Sequence, residues 1–305
     1  MTADAPFRQL RGRLKAQAPL AARSWFRSGG AADWLFVPQD AEDLASALRQ
    51  CPPDMPVTVL GACSNVIIRD GGLPGLTIRL AGGFANIETN GDGLIAGAAA
   101  LDSSVAETAA QAGMSGFAFL STIPGSIGGA VCMNAGAYGG DMSSLLDWVD
   151  ILTHEGFLQR LPASALKMQY RHSSLPEGSI VLRARLKAHG EEDPTAIQQT
   201  MQEMRASREA SQPLRARTGG STFRNPEGHK AWELIDAAGC RGLRHGGAQI
   251  SEKHCNFMLN TGDATSTELE ELGEMVRTRV LDKSGISLHW EIKRLGRLLS
   301  SASSS

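Results

Sequence analysis

From Asp33 onward the apolar positions fall in short runs separated by amphipathic stretches, the grammar of an α+β or α/β chain. "DWLFVP" (33–38) predicts a strand and "DAEDLASALRQ" (40–50) a helix. "VTVLG" (57–61), "NVIIRD" (65–70) and "LTIRL" (76–80) predict further strands. Residues 86–100 predict a hairpin opening a second lobe. "DSSVAETAAQAG" (102–113) predicts a helix with Asp102 or Ser103 at its N-cap and Gly113 at its stop. Strand patterns return at 148–153, 156–161 and 179–188, then a polar helix spans 193–210 ahead of the turn-rich "SQPLRARTGG". The longest helix, "TSTELEELGEMVRTRVLDKSG" (265–285), carries a capping box at Thr265 and Glu268. Its apolar face is Leu269, Leu272, Val276 and Val280, and Gly285 follows its end. The opening residues, rich in Arg, Lys and Ala with weak helical spacing, predict a peripheral helix.

These breaks divide the chain into an N-terminal extension (1–20), a domain of two lobes (21–85 and 86–207), a C-terminal domain (208–298) and a disordered tail (299–305). A length of 305 residues, 42% hydrophobic and 20% charged, suits two or three domains with real cores. The net charge of -2 offers no bulk attraction for nucleic acid or anionic lipid, so an anionic ligand must be captured locally. No apolar run approaches the ~20 residues of a membrane span. The start, "MTADAPFRQLRGRLKAQ", does not read as a secretory signal. The five cysteines are scattered, without a C-x-x-C, which predicts a cytoplasmic protein lacking disulfides and zinc. The seven histidines make no H-x-x-x-H, so no metal is expected.

Two segments look built for a ligand. In "VTVLGACSNVIIRDGG", Gly61 to Asn65 form a tight turn whose backbone N–H groups could cradle a pyrophosphate, or simply close a hairpin. No helix follows, so this is not a Rossmann fingerprint. In "STIPGSIGGAVCMNAGAYGG" (121–140), glycines at 125, 128, 129 and 136 let backbone approach a large flat or charged ligand, or serve a tight interdomain crossing. A third segment, "GSTFRNP" (220–226), is either an ordinary polar turn or a place where the Ser221 hydroxyl acts.

At these residues the chain resembles a known family. "LGACSNVIIRDGG" is similar to the "GxGSN" segment of the vanillyl-alcohol-oxidase (PCMH) type of FAD fold. "IPGSIGGAVCMNAGAYGG" is similar to the second FAD loop of the UDP-N-acetylenolpyruvoylglucosamine reductase (MurB) family. The likeness continues through "YRHSSLP", "GSTFRNPEGHKAWELIDAAGCRGLRHGGAQISEKHCNFMLN" and "LHWEIKRLG". It implies an α+β fold, a two-lobed FAD-binding unit followed by an α/β substrate-binding domain. It implies that NADPH reduces non-covalent FAD, which then reduces an enolpyruvyl ether of UDP-N-acetylglucosamine to UDP-N-acetylmuramate for peptidoglycan.

The resemblance assigns FAD contacts to Gly61, Ala62, Cys63, Ser64 and Asn65, and to Pro124, Gly125, Ser126, Gly128, Gly129, Asn134 and Gly136. It assigns catalysis to Arg171, Ser221 and Glu291, and substrate contacts to Asn225, His254 and Lys293. The short stretch between Arg171 and Ser221 resembles the subtype without an inserted capping loop. Three positions depart from the pattern. Cys63 stands for the usual glycine of "GxGSN", Thr122 for a glycine before "IPG", and His289 for an acidic residue. Two rival readings are an FAD-dependent oxidase on the same fold and a flavin-binding protein without catalysis. Neither loop holds a histidine for covalent flavin attachment, and an oxidase leaves the C-terminal motifs unexplained.

The chemistry makes sense of this trio. Hydride addition to an enolpyruvyl group builds charge on its carboxylate, which the planar fork of Arg171 can meet. Glu291 suits such a site if burial keeps it protonated. Ser221 can then protonate the carbon, because a carboxylate enolate is strongly basic and an uncharged hydroxyl adds no repulsion.

Overall fold

The computed structural model describes residues 7–299. The chain divides into two compact units. The first comprises residues through Lys15, Trp34–Ala62 and Leu76–Arg208; the second comprises Ala16–Asp33, Cys63–Gly75 and the residues from Glu209 on. The composition break at 207/208 lies beside this division. The short excursions 16–33 and 63–75 belong with the C-terminal residues because Phe26 and Ile67, both fully buried, complete that unit's core. An excursion of this kind leaves no break in composition.

The first unit is built on a five-stranded sheet. Its order is Leu158–Pro162, Leu146–Leu152, Ile180–Lys187, Gly93–Gly97 and Ile87–Asn90, with antiparallel pairing throughout. The hairpin expected within 86–100 is its edge pair, in register Ile87↔Ala96 to Asn90↔Gly93. Helices Asp102–Gln111 and Ile127–Met133 contribute Val105, Ala106, Ala109, Ile127 and Val131 to its core. Small alanines on these faces let helix and sheet approach closely.

Two local expectations are corrected. Arg13–Pro19 is a strand, not a helix, at the edge of a sheet ordered Arg13–Pro19, Ala31–Val37, Leu73–Arg79, Val57–Leu60. Backbone pairing there overrides the helix preference of Arg, Lys and Ala. The N-cap of helix Asp102–Gln111 is Leu101, and no side chain caps it. Asp102 sits inside the first turn and is fully buried. The expected tail lies, from residue 300 on, outside the described residues.

The second unit carries a sheet ordered Arg217–Ser221, Phe257–Asn260, Ala248–Ile250, Arg244–His245. Helix Ser266–Ser284 covers it, burying Leu269, Leu272, Val276 and Val280 completely. Its capping box forms as expected: Glu268 N donates to Thr265 Oγ1, and the Glu268 carboxylate accepts from Thr265 N at 3.0 Å. Gly285 ends it at φ 72°, in the left-handed region. Val66–Ile68 pairs in parallel with Lys293–Leu295, so the turn before one strand lies beside the end of the other.

Candidate active site

In the first unit the two glycine loops touch. Gly61 follows strand Val57–Leu60, and a Cβ there would stand 2.9 Å from Ser126 Oγ. A side chain at 61 would therefore crowd the Ser126 hydroxyl. Ala62 beside it and Pro124 in the second loop are half-buried. Ser126 is the N-cap of the Ile127–Met133 helix, 4% exposed, and its hydroxyl has no partner among the described residues.

The loop glycines divide their work. A Cβ on Gly125 would lie 2.5 Å from Asp102 Oδ2, and one on Gly128 would lie 3.0 Å from Ala98 Cβ, so both are needed for packing. Gly136 is likewise pressed against Asp141. Gly129 is exposed with nothing within 4 Å of its Cβ direction, so its backbone can be approached by a ligand. Asn134 is buried in a left-handed C-cap at φ 44°. Its side chain donates to Gln169 O and accepts from Ser143 N, tying the loop down.

Arg171 belongs to the same unit. A tight turn closed by reciprocal 3.0 Å bonds between Gln169 and His172 places it at φ 56°. A non-glycine residue in this region carries strain, which is concentrated at functional sites. Its Nη2 donates to Gly136 O at 3.1 Å and its guanidinium lies 4.9 Å from the Tyr170 ring centre. The second glycine loop and Arg171 are thus one assembly.

The second unit gathers the other expected residues. Ser221 follows a bulge: Thr218 pairs with Leu259 and Ser221 with Phe257, with Gly220 between them at φ 78°. That backbone turn favours glycine and re-aims the strand at Ser221. Thr222 O accepts from Glu291 N at 2.8 Å, and the Phe223 and Trp290 rings pack at a tilt with centroids 5.1 Å apart. Asn256 clamps Phe223 from both sides, accepting from its N–H and donating to its carbonyl. Nothing in the sequence reading singled out Asn256, since "HCN" has no spacing to mark it.

The Gly61–Asn65 turn finishes in this unit. Asn65 Nδ2 donates to Glu291 O at 3.2 Å, and Asn65 O accepts from Lys293 N at 3.0 Å. Ser221, Glu291 and Asn65 are therefore held by one backbone network, while Ser64 is half-buried beside it and the Lys293 side chain is exposed. Asn225 uses its Oδ1 to accept from Ala231 N at the start of the next helix. His254 packs edge-on to Phe257 at 4.9 Å, and its Nδ1 accepts from Asn256 N. Burial pulls the His254 imidazole below its ordinary range, so it is neutral at pH 7.

Cys63 is buried at φ 55°. The backbone there is the left-handed one that a glycine adopts freely, and a Cβ costs roughly 1 kcal/mol. Cys63→Gly is therefore expected to bind FAD as tightly as the parent or tighter, measured by titrating the apoprotein. Complete loss of flavin from that variant would show that the cysteine side chain makes a needed contact.

The residues fit FAD. The loops offer an open glycine backbone at Gly129, a buried hydroxyl at Ser126 awaiting a partner, and turns that come close at Gly61 and Ser126. No group of metal-binding side chains occurs among the described residues. A flavin-binding oxidoreductase is the class that this fold and site define, and residues 32–162 match the family described as FAD binding domain. Residues 212–295 match the UDP-N-acetylenolpyruvoylglucosamine reductase C-terminal domain. The chain belongs to the UDP-N-acetylenolpyruvoylglucosamine reductase family. It is 64% identical to the reductase of that name from Gluconobacter oxydans, over 97% of this chain and 96% of the relative. The Granulibacter bethesdensis reductase is 60% identical over 95% and 93%. The crystal structure of the Thermus caldophilus reductase (MurB) is similar with TM-score 0.81 and 35% identity, covering 94% of this chain and 100% of that one.

Proposed function

We infer that this chain reduces UDP-N-acetylenolpyruvoylglucosamine to UDP-N-acetylmuramate with FAD and NADPH, in peptidoglycan precursor synthesis. The observation that carries this is the 64% identity to a reductase of that name, running through both units. Bound FAD would supply the hydride chemistry that links NADPH oxidation to reduction of the enolpyruvyl double bond. The two glycine loops and Ser126 are proposed to hold that cofactor, with Gly129 allowing the close approach. The subtype without a capping loop and a cytoplasmic location are part of the same reading. Among the described residues no helix is long and apolar enough to cross a membrane.

The remaining roles fall to side chains. Arg171 meets the substrate carboxylate with two N–H groups, so that charge arriving on it is neutralised as it forms. Ser221 donates its proton to the carbon that bears the carboxylate and regains one from solvent. Glu291, half-buried, hydrogen-bonds the carboxyl oxygen of the substrate. Lys293, Asn225 and neutral His254 contact the UDP-sugar, Lys293 as the cation among them.

Purified protein is expected to be yellow and to oxidise NADPH rapidly only when enolpyruvyl-UDP-N-acetylglucosamine is added. Equal NADPH consumption with oxygen alone, and no lactyl product, would favour an oxidase instead.

A further inference from the structure

Four carboxylic acids are buried among the described residues: Asp43, Asp102, Asp150 and Glu270. Three of them are fully engaged. Asp43 accepts from the N–H groups of Arg11, Gly12 and Gln39 at 2.8–2.9 Å. Asp150 is gripped by Arg160 and Arg183, and Glu270 takes a two-point bond from Arg69. Asp102, 0% exposed, has no partner for either oxygen among the described residues. A buried carboxyl left this way is costly, and such groups persist where function needs them.

Its place is specific. Asp102 N donates to Gly125 O at 3.2 Å, Leu101 bridges to Ser126, and Oδ2 lies directly against Gly125. Ser126, the adjoining loop residue, carries a buried hydroxyl that also has no partner among the described residues, and Gly61 closes on it from the first loop. Two polar side chains without partners thus flank the same stretch of the cofactor loop, Asp102 against Gly125 and Ser126 next along the chain. We propose that Asp102 is a cofactor-positioning residue, whose carboxyl completes its hydrogen bonds when FAD seats on the Pro124–Gly129 loop. This rests on the FAD reading above. Burial raises the Asp102 pKa to about 8, so at neutral pH the group holds a proton and can donate as well as accept. The role therefore needs a neutral amide-like group, not a charge, and asparagine can fill it.

The test titrates apoprotein with FAD and follows its melting separately. Asp102→Ala is expected to weaken FAD ~10–100-fold while apoprotein melting stays level or rises, since a buried polar group without partners is removed. Asp102→Asn is expected to restore affinity to within about threefold. In protein labelled with carbon-13 aspartate, the protonated carboxyl stretch should shift on FAD addition and be missing from Asp102→Asn. Wild-type affinity in Asp102→Ala, or a stretch that FAD leaves unmoved, overturns the proposal. So does a fall in apoprotein melting that accounts for the whole effect. Failure of the wild type itself to bind FAD would instead defeat the underlying reading.

Discussion

Ser221→Ala protein is expected to be bleached by NADPH at close to the wild-type rate. Its flavin colour should then return ~10²–10⁴-fold more slowly when enolpyruvyl substrate is added. The two halves separate because NADPH oxidation needs neither the substrate's enolate nor its proton. The loss reflects chemistry and not folding. Ser221 is half-exposed at the end of its strand, where removing a hydroxyl costs little stability. The pinning of this segment also relies on its neighbours, since Asn256 holds Phe223 and Thr222 O holds Glu291 N. Ser221→Cys should recover part of the rate, because a thiol can also give up a proton. In D₂O the wild type should place one deuterium on the carbon bearing the carboxylate. A Ser221→Ala protein whose colour returns at the wild-type rate would reduce "GSTFRNP" to a turn.

Much of the fold was legible because its signals are local. The helix at 265–285 announces itself by a capping box, a stripe of four buried apolar residues and a terminal glycine, and all three occur. The 86–100 hairpin is equally local. Arg13–Pro19 was not legible, since its own residues favour helix and only pairing with Ala31–Val37, beyond an irregular connection, makes it a strand. The roles of the loop glycines were legible only as a group. Which one packs and which stays open depends on Asp102, Ala98 and Asp141, residues that no motif attaches to them. Asp102 itself read as a helix cap, because a carboxylate at that position is ordinarily one. Its burial comes from Gly125 folding over it, a contact between segments. Cys63 shows the reverse case. The departure was visible in sequence, while its physical content, a side chain held at φ 55°, needed the backbone.

Replacing Arg171 should give a loss of a different kind. Its turn is fixed by the Gln169–His172 backbone pair, so any side chain at 171 inherits the same φ of 56° and the same strain. Arg171→Met therefore leaves the turn in place and removes the guanidinium, with its bond to Gly136 O. FAD affinity is expected to change only a few-fold, because Asn134 still ties the glycine loop to Gln169. Bleaching by NADPH should again be near normal. The substrate half-reaction should slow by about 10²–10³, the typical cost of losing one aimed donor at a developing negative charge. Arg171→Lys should recover little of this, since a point charge cannot reproduce the two parallel bonds of the fork. The substrate carboxylate carries one charge when it binds and a larger one after hydride arrives. The interaction with Arg171 is thus strongest beyond the ground state, and the loss should fall on kcat more than on KM. A variant with unchanged kcat and a raised KM would make Arg171 a binding residue only, and would leave the charge of the enolate to be met elsewhere.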